Sequence, residues 1–170
     1  MLDIEALGKR PGSAIVELAA VTFDPETGAT GEEFLVRLKP ELPFVCDYET
    51  IRWHRDHGTT IEHADAIEPA KAIAALCAWL DQVIPDRESR VPWSWGITYD
   101  FPLLMPLLDL RPPGSPEPWR YYQVRDARTV WKVAFGDQRR ATRPHEALAD
   151  TKAAIADLFT ALSSLRADRI

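Results

Sequence analysis

Apolar and polar positions change their period several times along the chain, and each change marks an element. Residues 13–23, SAIVELAAVTF, are apolar on nearly both alternating faces, which predicts a strand central in a sheet. DPETG at 24–28 predicts a turn. Residues 33–38 predict a second strand that stops at Pro40, so a hairpin joins the two. A short leading strand is predicted over residues 1–5. Asp47-Tyr48-Glu49-Thr50 opens a helix that Gly58 ends. Ile73, Leu76, Cys77, Leu80 and Ile84 recur at helical spacing over 69–84, and Pro85 terminates that helix. VPWSWGIT at 91–98 predicts a short aromatic strand, 100–110 a helix interrupted by Pro106, and 121–125 another strand with Asp126 capping the next helix. The Pro-rich stretch 111–118 is a loop by composition. A last helix is predicted from Pro144, with Leu148, Ile155, Leu158, Phe159, Leu162 and Leu165 as its buried stripe. This order predicts an α/β domain with a mixed sheet: an antiparallel meander first, parallel crossovers later.

Composition narrows the class without changing that picture. At 170 residues, with 46% hydrophobic and 27% charged positions, the chain is expected to form one globular domain over 1–170. The net charge of -6 argues against nonspecific coating of nucleic acid through a basic surface. It does not exclude an enzyme that grips one strand end, because bound cations cancel clustered carboxylates. Two cysteines, Cys46 and Cys77, do not make a disulfide framework. No apolar run approaches the roughly 20 residues of a membrane span, and residues 1–5 carry no basic n-region. A cytoplasmic setting is the expectation.

Four carboxylates stand out by position. Asp3 and Glu5 alternate with Ile4, so on a strand both point to one face. Two carboxylates that close repel unless a cation sits between them. Asp100 follows the predicted 91–98 strand at its C-terminal end, where α/β folds place ligands. Asp150 falls in the first turns of the last helix. His145 precedes it by five positions and is expected at the mouth of that helix, after Pro144 at the first helical position.

Asp3-Ile4-Glu5, an Asp closing a later strand, and His145-x4-Asp150 together resemble the DEDDh branch of the 3′-5′ exonucleases. Residues 2–15, Trp93-Ser94-Trp95-Gly96-Ile97-Thr98-Tyr99-Asp100, Thr50-Ile51-Arg52-Trp53, Arg125-Asp126-Ala127-Arg128-Thr129 and 145–150 are similar to the ribonuclease AS-like exoribonucleases and their phage exonuclease relatives. The likeness covers nearly the whole chain. It implies a ribonuclease-H-like, mixed five-stranded sheet flanked by helices, and two Mg²⁺ or Mn²⁺ ions. By it, Asp3 would bridge both ions, Glu5 and Asp150 would complete one site, and Asp100 would serve the second. His145 would take the proton of the attacking water, and nucleoside 5′-monophosphates would leave one at a time.

The resemblance also implies a substrate surface. Ala6 stands where many relatives carry Thr, which leaves its backbone N–H for the terminal 3′-hydroxyl. Leu7 would wedge against the last base. Trp95 stands where a small polar residue is expected and offers a stacking surface; Tyr99 replaces a Phe. Arg139, Arg140 and Arg143, just before His145, would grip phosphate, with Lys9 and Arg10 as further candidates. Single-stranded RNA is the favoured substrate, through the closer likeness to the exoribonuclease branch. Single-stranded DNA, or a non-catalytic nucleic-acid-binding module of the same fold, are the alternatives. The family implies a homodimer.

Competing structural readings stand beside these. Asp100 and Asp126 suit helix caps, and Asp150 suits a first-turn acid favoured by the helix dipole. His54, His57 and His63 lack the Cys or H-E-x-x-H context of a zinc site. Trp53 and Trp79 suit core or groove packing.

Overall fold

The computed structural model describes residues 1–138, 140–141 and 143–167. β1 (Leu2–Ala6), β2 (Ile15–Phe23) and β3 (Thr30–Arg37) form an antiparallel meander in that spatial order. β2 lies in the middle, and its first seven residues are buried, which is why both its faces are apolar. In the hairpin turn, the Asp24 carboxylate accepts the Glu26 N–H at 2.8 Å, and the Gly28 N–H donates to the Asp24 carbonyl at 2.8 Å. Gly28 has φ 74°, and a Cβ there would lie 2.7 Å from the Phe159 ring, so glycine alone fits.

Strand alternation sorts two cores onto the two faces of the sheet. Leu2, Ile4, Ala6, Val16, Leu18 and Ala20 pack against α2 (Pro69–Val83) and α3 (Ile97–Leu108), through Ile73, Leu76, Leu103, Leu104 and Leu107. Val21 belongs to a second cluster. It includes Ala154, Ile155 and Leu158 of α5 (Ala147–Ala167), Ala127 of α4 (Ala127–Phe135), and Trp95. Asp3 and Glu5 alternate with the buried residues of β1 and so face the α5 side. Small residues let α5 approach the sheet closely: Ala147, Thr151 and Ala154 are all buried. α1 (Tyr48–Asp56) is capped by Asp47, whose carboxylate accepts the Glu49 N–H.

The mixed α/β character is present, but the five-stranded sheet is not. β4 (Trp93–Ser94) and β5 (Arg125–Asp126) have two residues each and pair with one another in parallel, apart from the meander. The strand expected over 91–98 shortens because Gly96 already caps α3. The Gly96 N–H donates to the Asp100 carboxylate at 3.3 Å while the Asp100 N–H returns to the Gly96 carbonyl at 3.0 Å. The strand expected over 121–125 is instead a 3-10 turn at Tyr121–Gln123, closed by Gln123 on the Arg120 backbone. α3 runs through Pro102 and Pro106 without a break.

The last helix begins at Ala147, three residues later than its Pro144 start was expected. His145 has φ 59°, a left-handed conformation that no α-helix accommodates, so neither it nor Pro144 belongs to the helix. No helix of the described residues is long and apolar enough to cross a membrane.

Candidate active site

A cleft of about 620 Å³ opens where β1, α1, the β4–α3 junction, α4 and the start of α5 converge. Asp3, Glu5, Asp100 and Asp150 all line it, and so does His145. Three separate chain segments supply the acids. β1 presents Asp3 and Glu5, the capped first turn of α3 presents Asp100, and the first turn of α5 presents Asp150.

Crowding of these carboxylates shows in their acidities. Burial pushes Asp3 well above the usual carboxylate range, and the charges of Asp100, Glu5 and Asp150 push it further. Glu5 rises to about 8, through burial and then through Asp150, Glu17 and Asp100. Burial raises Asp100 to about 6, against the pull of the Gly96 N–H and Arg128, and burial raises Asp150 too. Positive charge arriving from outside the chain would favour the ionised form of each of these acids. One oxygen of Asp150, Oδ1, is buried without a hydrogen-bond partner. Glu5, His145 and Asp150 each place a ligand atom within 4.8 Å of the others. This donor set fits a divalent cation, with oxygens predominant as hard ions require. Asp3 and Asp100 belong to no group that tight among the described residues, although they share the cleft. The imidazole that the resemblance assigns to proton transfer therefore stands within ligand distance of two acids.

An aromatic and histidine cluster forms one wall. The Trp53 indole stacks on His57 at 4.2 Å and meets His145 edge-on at 4.7 Å. His54, one helical turn below Thr50, is buried and donates from Nε2 to the Ala6 carbonyl at 3.0 Å. It ties α1 to the end of β1, a structural role rather than a zinc ligand's. Thr50 also lines the cleft, and its hydroxyl is buried without a partner.

The opposite wall is cationic. The Arg140 guanidinium lies 3.2 Å from the centre of the Trp95 ring. Arg140 and Arg143 share the Asp157 carboxylate at 3.2 and 2.7 Å, and Arg143 also donates to the Asp150 carbonyl. The Arg143 charge also acts on Asp3 and Asp150, opposing the rise of their pKa values. Arg139 lies outside the described residues. Lys9 lines the cleft; Arg10 does not.

Other expected substrate contacts divide. Ala6, Trp95 and Tyr99 line the cleft. The Tyr99 hydroxyl donates to the Gly8 carbonyl at 3.3 Å, and burial pushes its pKa up to about 12, so it stays a neutral donor. Leu7 is not a wedge. It is 2% exposed and packs in the α2–α3 core, because the chain turns there and the Leu7 N–H bonds the Ala14 carbonyl at 2.8 Å. Asp126 stands at the N-cap position of α4, but its carboxylate accepts the Thr129 hydroxyl at 2.6 Å and the Ile97 N–H of α3 at 3.5 Å rather than an N–H of α4.

Two residues of this region had no expected role. Arg128, on α4, reaches across to Gly96, where an added Cβ would stand 3.0 Å from its guanidinium. Glu17, on β2 and directly paired with Glu5, is buried among ionic partners. The signal for Glu17 was a lone acid in an otherwise apolar central strand. For Arg128 there was none beyond its place in the Arg125–Thr129 segment.

A family model described as the 3′-5′ exoribonuclease Rv2179c-like domain matches residues 1–160. No curated protein matches the chain.

Proposed function

Because the chain belongs to the Rv2179c-like 3′-5′ exoribonuclease family, we propose that this cleft removes nucleotides from the 3′ end of single-stranded RNA by metal-dependent phosphodiester hydrolysis. The observation that carries the reading is the meeting of four carboxylates and His145 in one cleft, with carboxyl pKa values raised by burial and mutual repulsion. Glu5 and Asp150 would hold one Mg²⁺ or Mn²⁺ ion, the unpartnered Asp150 Oδ1 gaining its missing partner. Asp3 and Asp100 would hold a second. A pair of such ions stabilises both the attacking and the leaving oxygen of an in-line displacement.

The chain's own side chains supply the rest. His145 accepts the proton of the attacking water through the imidazole nitrogen turned toward the cleft, with Trp53 against its ring. Arg140 and Arg143, which share Asp157 at the cleft, bind the phosphodiester anion. Trp53, exposed at the cleft, presents aromatic surface to unstacked bases; Trp95 is buried with its ring face covered by Arg140 and serves instead to seat that guanidinium. Tyr99 braces the turn after β1 by donating its hydroxyl to the Gly8 carbonyl.

The test uses 5′-labelled RNA and DNA oligomers of one sequence, with Mg²⁺, with Mn²⁺ and with a chelator. Stepwise shortening of RNA from its 3′ end, release of nucleoside 5′-monophosphates and full arrest by chelator are expected. Undiminished turnover under chelation rejects the metal reading, and equal or faster turnover of DNA rejects the RNA reading.

A further inference from the structure

Glu17 is the one acid of the central strand, and it reaches the chain segment that carries His145 and Asp150. Its Oε2 accepts the Ala147 N–H at 3.1 Å, across 130 positions of sequence. Its Oε1 accepts from Arg37 at 3.1 Å and lies 3.4 Å from His63 Nε2. Arg37 in turn pairs with Asp65 at 2.9 Å. Glu17 is 6% exposed and Ala147 fully buried, so the contact is sheltered from water.

Ala147 is the first residue of α5, and helix-start N–H groups have no intrahelical acceptor. Local side chains from the N-cap position usually satisfy them. Here the acceptor comes from the middle of the sheet. We infer that Glu17 is a positioning residue for the cleft: by gripping the Ala147 N–H it sets the height and rotation of α5 over β1. That grip falls two residues after His145 and three before Asp150. It also lies beside Glu5, the cross-strand partner of Glu17. One buried carboxylate thereby determines how far Asp150 and His145 stand from Glu5, the trio whose ligand atoms gather within 4.8 Å. Shells of this kind orient ligands without touching the ion.

The inference rests on the metal-dependent reading above, and the experiment separates the two. Mn²⁺ affinity of the intact chain is measured by titration calorimetry, alongside kcat and KM on an RNA oligomer. Glu17→Ala, checked for folding by circular dichroism, is expected to lose about tenfold or more in Mn²⁺ affinity. Its kcat falls by a similar factor while KM for RNA stays nearly constant. Glu17→Gln combined with Arg37→Gln keeps an acceptor for Ala147 and removes both charges, so it recovers most of the affinity. If Glu17→Ala does not fold, Glu17→Met with Arg37→Gln fills the same space without a buried charge and carries the same expected loss. Wild-type Mn²⁺ affinity in a folded variant lacking the acceptor overturns the inference alone. So does a Gln pair as impaired as Ala. A wild-type chain that takes up no Mn²⁺ overturns the reading of the site, and this inference with it.

Discussion

His145 and Trp53 meet edge to face, their ring centroids 4.7 Å apart, although 92 positions separate them in the chain. The left-handed φ of His145 sets where its backbone turns, and the indole sets where its imidazole stops. His145→Ala should therefore leave the fold intact and lower kcat by about 10²-fold or more, the usual worth of a positioned acid–base group. Turnover at the wild-type rate would remove His145 from the chemistry.

The raised carboxyl pKa values carry a pH signature. Glu5 at about 8 and Asp100 at about 6 bind protons in the folded chain that the unfolded chain has already released. For groups shifted upward, that stability is complete below their ordinary carboxylate values and is lost as pH rises toward 8. Divalent cations oppose the loss by neutralising the ionised cluster. Mn²⁺ should raise the melting temperature more at pH 8 than at pH 5, relative to chelator, in a thermal-shift measurement. An equal shift at both values would contradict the cluster's part in ion binding.

Arg140 and Arg143 share one carboxylate, so Asp157 alone does not neutralise both guanidiniums. Arg140→Ala should weaken RNA binding and reduce the slope of log affinity against log salt by about 0.7, the value for one phosphate of a single strand. Fluorescence anisotropy across a salt series measures this. An unaltered slope would place Arg140 off the phosphate path and leave it only its stack on Trp95.

Gly28 tests the turn that aligns β2 with β3. Its φ of 74° and the 2.7 Å approach of Phe159 oppose any side chain. Gly28→Ala should cost about 1–3 kcal/mol in denaturant unfolding. RNA turnover by the protein that remains folded should persist, because the turn is no part of the cleft. A neutral substitution would mean that α5 yields at Phe159.

Short-range rules carry a good part of this molecule. Alternation alone puts Asp3 and Glu5 on one face of a strand, the apolar run at 13–23 marks the central strand, and spacing with Pro85 delimits α2. Such rules fail where an element is decided by a distant partner. β4 and β5 stay two residues long because the Gly96–Asp100 exchange starts α3 early and a 3-10 turn takes Tyr121–Gln123. Leu7 is a wedge only by the family resemblance and is core by its packing. Glu17 reads as an anomaly in its strand until the Ala147 N–H appears across 130 positions. The residue types available to the cleft are written locally, since alternation and capping act over a few residues. Their convergence was decided only by tertiary structure, because burial, repulsion among four acids and the grip on α5 arise between segments that the chain order keeps far apart.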